Sequence, residues 1–458
     1  MLVRLQLKCN LGKFDKGQQS DFVYEAVVKI PVVKIGKEWQ PLVNNYVHIA
    51  EDVSIVVAGR RFTVRGSYFC QRDEIDCCCS QASVRMAIFH VPIDLDILPY
   101  REMYKIVEEI RQTDPKYKKH SLAPRDGFCL KELEGLLASQ GVKALTYNRS
   151  WKIHRDTDPY EYAYLLVESG IPTLIAFSPR FGHGRKPKLA HLIPVIGHTM
   201  NTDEWLPIAH SLYRKFEGHY LTNRRHRYIS SASWVSHLIV HDDSMGPYHC
   251  LGERDLIETR HDGRQKEASL WSRIMYVIGL VPSLAGFTIS PHHAQNLAVD
   301  FFYNLWKEML DDVKGPWKKR FEQRPFDEKT LVVRTQSVRW NEYVGELQDA
   351  IDHEGNPSRL SKKGRRKLEE VLPEIFWMME FSIPEIFSVN RAKFGEVLLK
   401  FNPTDRELKK VGSDKTKPSI CIGFRFINHI KLMDGTAFTL GFRSHCKLFR
   451  WLQRPMEY

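Results

Sequence analysis

An α+β fold in more than one domain is predicted by three features of this sequence. These are a leader of alternating apolar and polar residues, a block of amphipathic helices ahead of apolar strands, and a C-terminal region of different texture. At 458 residues the chain exceeds what one ordinary core supports. Hydrophobic residues make up 43% and charged residues 27%, the balance of a folded globular protein.

Residues 1–68 read as a β-rich N-terminal segment, either a small domain of its own or strands added to the next one. Val23-Tyr24-Glu25-Ala26-Val27-Val28 and Val53 to Val57 carry the alternation. Gly59-Arg60-Arg61 reads as a turn between Ser54-Ile55-Val56-Val57 and Phe62-Thr63-Val64.

Residues 69–260 alternate helical and strand patterns. Ser80 to Val91 has near-helical apolar spacing and stops at Pro92, which cannot continue a helix. Tyr100 to Gln112 and Leu130 to Gln140 are amphipathic, the second closed by Gly141; Pro159 to Ser169 is closed by Gly170. Strands are expected at Pro172 to Phe177, Leu192 to Ile196 and Val235 to Val240.

Residues 261–458 predict an additional mixed α/β domain of unknown role. Tyr276 to Ile289 reads as strand, turn and strand. A long aromatic-rich helix spans His292 to Val313, followed by a strand at Leu331 to Arg334 and a helix from Val338 to Asp352. The basic stretch Ser361 to Lys367 reads as an exposed helix start or linker. Trp377 to Phe381 and Phe394 to Phe401 are core candidates, and Ile420 to Phe442 alternates around the hairpin signal Asp434-Gly435.

The formal charge is 67 − 55 = +12, with basic clusters at Lys116, Lys118 and Lys119, at Arg185, Lys186 and Lys188, at Arg224, Arg225 and Arg227, and at Lys362 to Lys367. A basic surface favours anionic partners, so nucleic acid or an acidic protein is a possible partner. No aromatic-interleaved motif or zinc-finger spacing accompanies the charge, so it reads first as solvated surface. No apolar run reaches the ~18 residues of a spanning helix, so no membrane partner is expected. The charges within Met1 to Lys8 interrupt any signal h-region, so a cytoplasmic setting with nine reduced cysteines is expected. The oligomeric state is not legible.

Three stretches carry chemistry. In Gln71-Arg72-Asp73-Glu74-Ile75-Asp76-Cys77-Cys78-Cys79-Ser80-Gln81-Ala82, a cysteine directly precedes a helix. Backbone N–H groups and the helix dipole there favour an anion and enrich the nucleophilic thiolate. In Ala190-His191-Leu192-Ile193-Pro194-Val195-Ile196-Gly197-His198, a histidine opens an apolar strand, where it can act as a base; His198 lies past the strand and reads as surface. In His237 to Tyr248 a strand ends in Asp242-Asp243, and either carboxylate can orient an imidazole. The adjacent cysteines lack the Cys-x-x-Cys spacing of zinc sites, so neither a metal nor a cofactor is expected.

These residues resemble the papain-like cysteine peptidase superfamily, especially the branch that processes bacteriocin leaders, over residues 70–250. Cys79-Ser80-Gln81-Ala82-Ser83-Val84-Arg85-Met86 is similar to the helix start Cys-Gly-x-Ala-Ser-Leu-x-Met of that branch. The order cysteine, histidine, aspartate also agrees. The resemblance implies a papain-like hydrolase domain with Cys79 as nucleophile, His191 as base, Asp242 or Asp243 as third member and Gln71 as oxyanion donor. Gln71 stands eight positions before Cys79 and six before Cys77, the family spacing, so Cys77 is the alternative nucleophile. The implied function is a cysteine peptidase, or a related acyl-transfer hydrolase, acting on a protein or peptide; the alternative is an inactive papain-like binding module.

Overall fold

The computed structural model describes residues 2–6, 22–35, 38–41, 45–72, 79–93, 98–113, 127–151, 157–177, 191–200, 213–217, 225–252, 257–259, 265–267, 273–283, 289–311, 319, 322, 331–349, 360–388, 392–404, 407, 420–426, 429–435 and 437–439. It divides into two compact units, Met1–Met200 with Ser236–Ala285, and Asn201–Val235 with Gly286–Tyr458. Helices and sheets are mixed in both, so the chain is α+β. Among the described residues, no helix is long and apolar enough to cross a membrane.

In the first unit the leader forms an antiparallel sheet of β1 (Leu2–Gln6), β2 (Phe22–Lys29), β6 (Glu51–Val57) and β7 (Arg60–Phe69), in the order β1-β2-β7-β6. The turn between β6 and β7 is made by Ala58 and Gly59, both at positive φ (49° and 78°). A separate hairpin joins β3 (Val32–Ile35) to β4 (Glu38–Pro41).

The larger sheet is also antiparallel. It contains β8 (Val142–Asn148), β9 (Thr173–Phe177), β10 (His191–Thr199), β13 (His237–Asp242), β14 (Gly246–Gly252) and β17 (Ile274–Pro282), in the order β14-β13-β10-β9-β17-β8. A short strand from the leader, β5 (Asn45–Val47), pairs with the far end of β10. Tyr248 joins the two sheets: its hydroxyl donates to the Val28 carbonyl at 2.6 Å and accepts from the Ser67 N–H at 3.3 Å. β15 (Ile257–Thr259) and β16 (Gln265–Glu267) form a further small hairpin.

Period-2 alternation along the central strands gives the sheet two apolar faces. Leu174, Ala176, Ile278 and Leu280 share a core with α1 (Cys79–Ile88), α2 (Tyr100–Thr113) and α3 (Leu130–Ser139). The opposite face receives α4 (Pro159–Glu168), every residue of which is buried. Leu166 of α4 packs so closely on Gly279 of β17 that a Cβ there would lie 2.7 Å from it.

The helix ends follow the local signals. Asp158 caps α4, accepting from the Tyr160 N–H at 2.9 Å, and Pro159 occupies the first turn, where its missing N–H costs nothing. Gly141 and Gly170, at φ +68° and +70°, end α3 and α4 in the left-handed conformation. α1 is almost wholly buried and includes Arg85, whose guanidinium lies 4.4 Å from the Tyr100 ring centroid and 5.0 Å from that of Tyr24. These aromatic faces, with Glu25 at 3.7 Å, offset the desolvation of that charge.

The second unit is built on an eight-stranded sheet. Its strands are β11 (Tyr213–Glu217), β12 (Arg225–Ser230), β18 (Val332–Arg339), β19 (Ile375–Ser382), β20 (Gly395–Lys400), β21 (Cys421–Phe426), β22 (His429–Leu432) and β23 (Ala437–Thr439), in that order. Only the β12–β18 pairing is parallel among the pairs described. α5 (Pro291–Asp311) covers one face, with Phe302 stacked on Phe381 at 4.5 Å. α6 (Trp340–Asp349) and α7 (Lys362–Val371) share a core with Phe376, Met378 and Leu398 on the other. α8 (Pro384–Ser388) buries Phe387 against Trp234.

Two expectations change here. The strand before α6 runs on to Arg339 because Val338 pairs with Phe376 and Arg339 with Ile375, so the helix starts at Trp340 and not at Val338. The region Tyr276 to Ile289 contains one strand ending at Pro282, and its second expected strand falls on 284–288, outside the described residues. The basic stretch after Ser361 is helix α7, capped by the Ser361 hydroxyl on the Gly364 N–H at 3.0 Å.

Two glycines predict opposite outcomes. At Gly197 a Cβ would lie 2.1 Å from the Tyr46 carbonyl of β5, whereas at Gly345 within α6 nothing lies within 4 Å. Gly197→Ala is expected to destabilise the chain by about 1–3 kcal/mol as β5 is pushed off β10. Gly345→Ala is expected to stabilise it by about 0.5–1 kcal/mol through helix propensity. Urea denaturation of the two variants checks both signs.

Candidate functional site

Two serines on α1 decide where Cys79 lies. The Ser83 hydroxyl donates to the Leu192 carbonyl at 2.5 Å, fixing the helix against β10 one residue past His191. One turn earlier, the Ser80 hydroxyl accepts from the Phe128 N–H at 3.3 Å and holds the helix start against the segment leading into α3. Cys79, the first residue of α1, therefore faces His191, the first residue of β10. Both line one small cavity whose other walls include Phe128, Leu130, Leu133, Ala176, Tyr276 and Ile278.

The imidazole of His191 bridges two partners. Its Nε2 lies 2.8 Å from Asp242 Oδ2, and the Cys79 thiol lies close enough to act on its charge. Asp242 ends β13, and its second oxygen accepts from the Ser244 and Met245 N–H groups at 2.8 and 3.0 Å. The strand-to-turn transition that orders this carboxylate is completed by Gly246 at φ +115°. The carboxylate is thus held from one side by the turn and directed at the imidazole from the other.

Burial disfavours charge on His191. The hydrogen bonds to Asp242 and Cys79 and their charges outweigh that, raising its pKa to about 10. Burial likewise disfavours charge on Asp242, but His191 and the two turn N–H groups bring it down to about 2. Both shifts favour the charged forms, an imidazolium facing a carboxylate. Asp243 is different. Its carboxylate is buried 3.5 Å from Arg72 Nε and 3.9 Å from His191 Nε2, and burial raises its pKa despite both cations. Two other thiols are buried: Cys70 donates to the Ala82 carbonyl, and burial pushes it up to about 11 and Cys421 up to about 12.

The structure thus brings Cys79, His191, Asp242 and Asp243 together. Gln71 stands nearby in sequence but is tied to β2: its Oε1 accepts from the Val23 N–H at 2.9 Å, and its backbone N–H donates to the Val23 carbonyl at 2.8 Å. Cys77 lies outside the described residues.

One expectation is corrected. His198 is 1% exposed and not at the surface, because β5 covers the end of β10 and α4 lies beneath it. Its Nε2 lies 2.5 Å from Glu168 Oε2 and 3.0 Å from His48 Nε2. Reading the strand as ending at Ile196 hid this; the signal was Gly197, which permits a covering strand only because it lacks a Cβ. Among the described residues two groups could hold a metal ion, His48-Glu168-His198 and His191-Asp242-Asp243.

No protein-family model matches this chain, and no curated protein matches it either.

The His191–Asp242 pair makes stability depend on pH with a definite sign. The contribution of His191 is whole below its ordinary pKa of 6.5 and is lost as pH rises through about 10. That of Asp242 is whole above 3.8 and is lost as pH falls through about 2. Asp242→Asn keeps the acceptor oxygen for the turn but removes the charge. In this variant the His191 titration, followed by imidazole nitrogen NMR, is expected to fall toward the ordinary histidine range, and the loss of stability above pH 6.5 to flatten.

Proposed function

We propose that this chain is a thiol hydrolase of the papain-like type, in which Cys79 is the nucleophile, His191 the acid–base and Asp242 the residue that orients it. The observation that carries the reading is that one imidazole, bonded to a carboxylate at a strand end, lines the same cavity as a helix-start thiol. The chain order of the three residues and the helix-on-sheet arrangement support the papain-like assignment.

Cys79 sulfur attacks an amide or thioester carbonyl, forming an S–C bond. The oxyanion that develops is held by the Cys79 backbone N–H at the start of α1. Gln71, the second donor that the resemblance implies, holds its Oε1 on the Val23 N–H of β2. His191 passes its proton to the leaving amine or thiol as the C–N or C–S bond breaks. Water then attacks the thioester and gives its proton to His191, and Cys79 leaves with the hydroxyl transferred to the acyl group. No metal or cofactor takes part in these steps.

The apolar walls fit an acyl group that bears an apolar side chain, as in a protein or peptide substrate cleaved at a peptide or isopeptide bond. The described cysteines are free thiols, the state this chemistry requires at Cys79 and one that a reducing, cytosolic setting maintains. The alternative of a purely electrostatic binding module draws little support from α7. Its exposed Arg365 and Arg366 pair with Glu369 and Glu370 at 2.7 and 4.0 Å on the same helix, so they are partly neutralised.

Incubation with a diverse peptide library, read by mass spectrometry, tests the reading. Cleavage is expected with enrichment of apolar residues on the acyl side, abolished in Cys79→Ala and slowed at least about 100-fold in His191→Ala. Cleavage that survives Cys79→Ala would contradict it.

A further inference from the structure

We propose that His48, Glu168 and His198 form a binding site for a divalent transition-metal ion of the zinc type. The three come from separate elements: His48 follows β5, Glu168 ends α4 and His198 lies near the end of β10. Their donor atoms form a closed triangle. His198 Nε2 is 2.5 Å from Glu168 Oε2, His48 Nε2 is 3.2 Å from the same oxygen, and the two nitrogens are 3.0 Å apart. Ligands about 2.0–2.2 Å from a tetrahedral zinc ion lie about 3.3–3.6 Å from each other, so the triangle is a contracted version of one coordination face that a bound ion would widen by a few tenths of an ångström. Two imidazoles and one carboxylate are a donor set suited to Zn²⁺ and its neighbours in the first transition row.

A second observation concerns protons. His198 Nδ1 lies 3.2 Å from the Thr199 carbonyl, which can only accept, so Nδ1 carries the hydrogen. In a neutral ring Nε2 then presents its lone pair to a carboxylate oxygen and to a second imidazole nitrogen. A proton on His48 Nε2 can bridge only one pair of these atoms, whereas a divalent cation would be met by all three at once. The backbone-bonded Nδ1–H is also the outer-shell contact that fixes a histidine for coordination through Nε2.

The surroundings agree. Glu168 and His198 side chains are each 1% exposed, and the carboxylate stands at the C-terminal, negative end of α4. Burial and the helix dipole both disfavour a lone anion there, and a dication offsets both. The rings are aligned by stacking: Tyr46 lies 5.7 Å from His198, His48 lies 4.9 Å from it, and Tyr164 meets it edge-on at 5.0 Å. His48 is 13% exposed, which leaves its side for water ligands. The backbone N–H groups of His48 and Ile49 both donate to the Ile196 carbonyl, at 2.9 and 3.0 Å, so the donor from the leader is held in place before any ion binds. An ion here would clip the leader to β10 and α4. His198 is seven residues along β10 from His191, about 23 Å away, so the site is separate from Cys79 and does not rest on the hydrolase reading.

The test is a Co²⁺ titration of the full chain after EDTA treatment, followed by visible absorption, Zn²⁺ competition and thermal melting. One Co²⁺ per chain with ligand-field bands, displaced by Zn²⁺ and accompanied by a higher Tm, is expected. His48→Gln, at the least buried of the three positions, and Glu168→Gln, which keeps an acceptor oxygen but loses the charge, are each expected to weaken Co²⁺ binding at least tenfold, about the factor set by outer-shell contacts alone. Circular dichroism of both variants establishes that they are folded. Wild-type chain that binds neither metal and melts alike with EDTA or Zn²⁺ would overturn the proposal, leaving a hydrogen-bonded cluster. Equal binding by wild type and a folded His48→Gln would also overturn it, placing the ion elsewhere.

Discussion

The contact on which the first unit depends is that of α1 with β10. A helix buried from Ser80 to Ile88 has no solvent face, so its polar side chains must find partners inside. Ser83 does so on the Leu192 carbonyl, Ser80 on the Phe128 N–H, and Arg85 among Tyr24, Tyr100 and Glu25. Each bond fixes the helix along and about its axis. The result is that Cys79 is delivered to the cavity lined by His191, whose Nε2 is engaged by Asp242. A surface helix with the same cysteine would have no such register.

β10 is the organising strand of the larger sheet. His191 stands at one end, facing α1, and His198 at the other, where β5 and α4 converge. Between them Leu192 to Ile196 are buried apolar residues paired with β9 and, on the other edge, β13. A bulge between Val195 and Gly197 lets the strand leave β13 and accept β5. The second unit buries charge in a different way. Arg334, Glu380, Glu396 and Arg425 lie opposite one another on β18, β19, β20 and β21, with Lys393 bonded to both carboxylates at 2.5 and 2.6 Å. Burial disfavours charge on both, yet the cations hold Glu396 below the usual carboxylate range and the two glutamates hold Lys393 above the usual lysine range. Removing a single member of such a row leaves a buried charge without its partner, which is costly.

Much of this was legible because the deciding forces are local. Asp158-Pro159 at a helix start and Gly141 and Gly170 beyond helix ends announce α3 and α4, and period-2 runs announce β10 and β13. The cysteine at a helix start, the histidine opening a strand and the Asp-Asp pair ending another were visible as three separate stretches. What was not visible depends on contacts distant in sequence. Whether Asp242 or Asp243 meets His191 is decided by the turn N–H groups of Ser244 and Met245, which take the other oxygen of Asp242. That His198 is buried follows from β5, about 150 residues earlier, and that His48 and Glu168 join it follows from the packing of α4. A three-residue strand such as β5 carries too little periodicity to be seen.

The measurement closest to the central claim is the rate at which Cys79 reacts with iodoacetamide from pH 5 to 9, by intact mass and peptide mapping, in wild type and in His191→Ala. A histidine beside the sulfur predicts that Cys79 is the first thiol modified, with buried Cys70 and Cys421 unreactive, and that His191→Ala slows only Cys79. Slow modification of Cys79, unchanged by the loss of His191, would contradict the account.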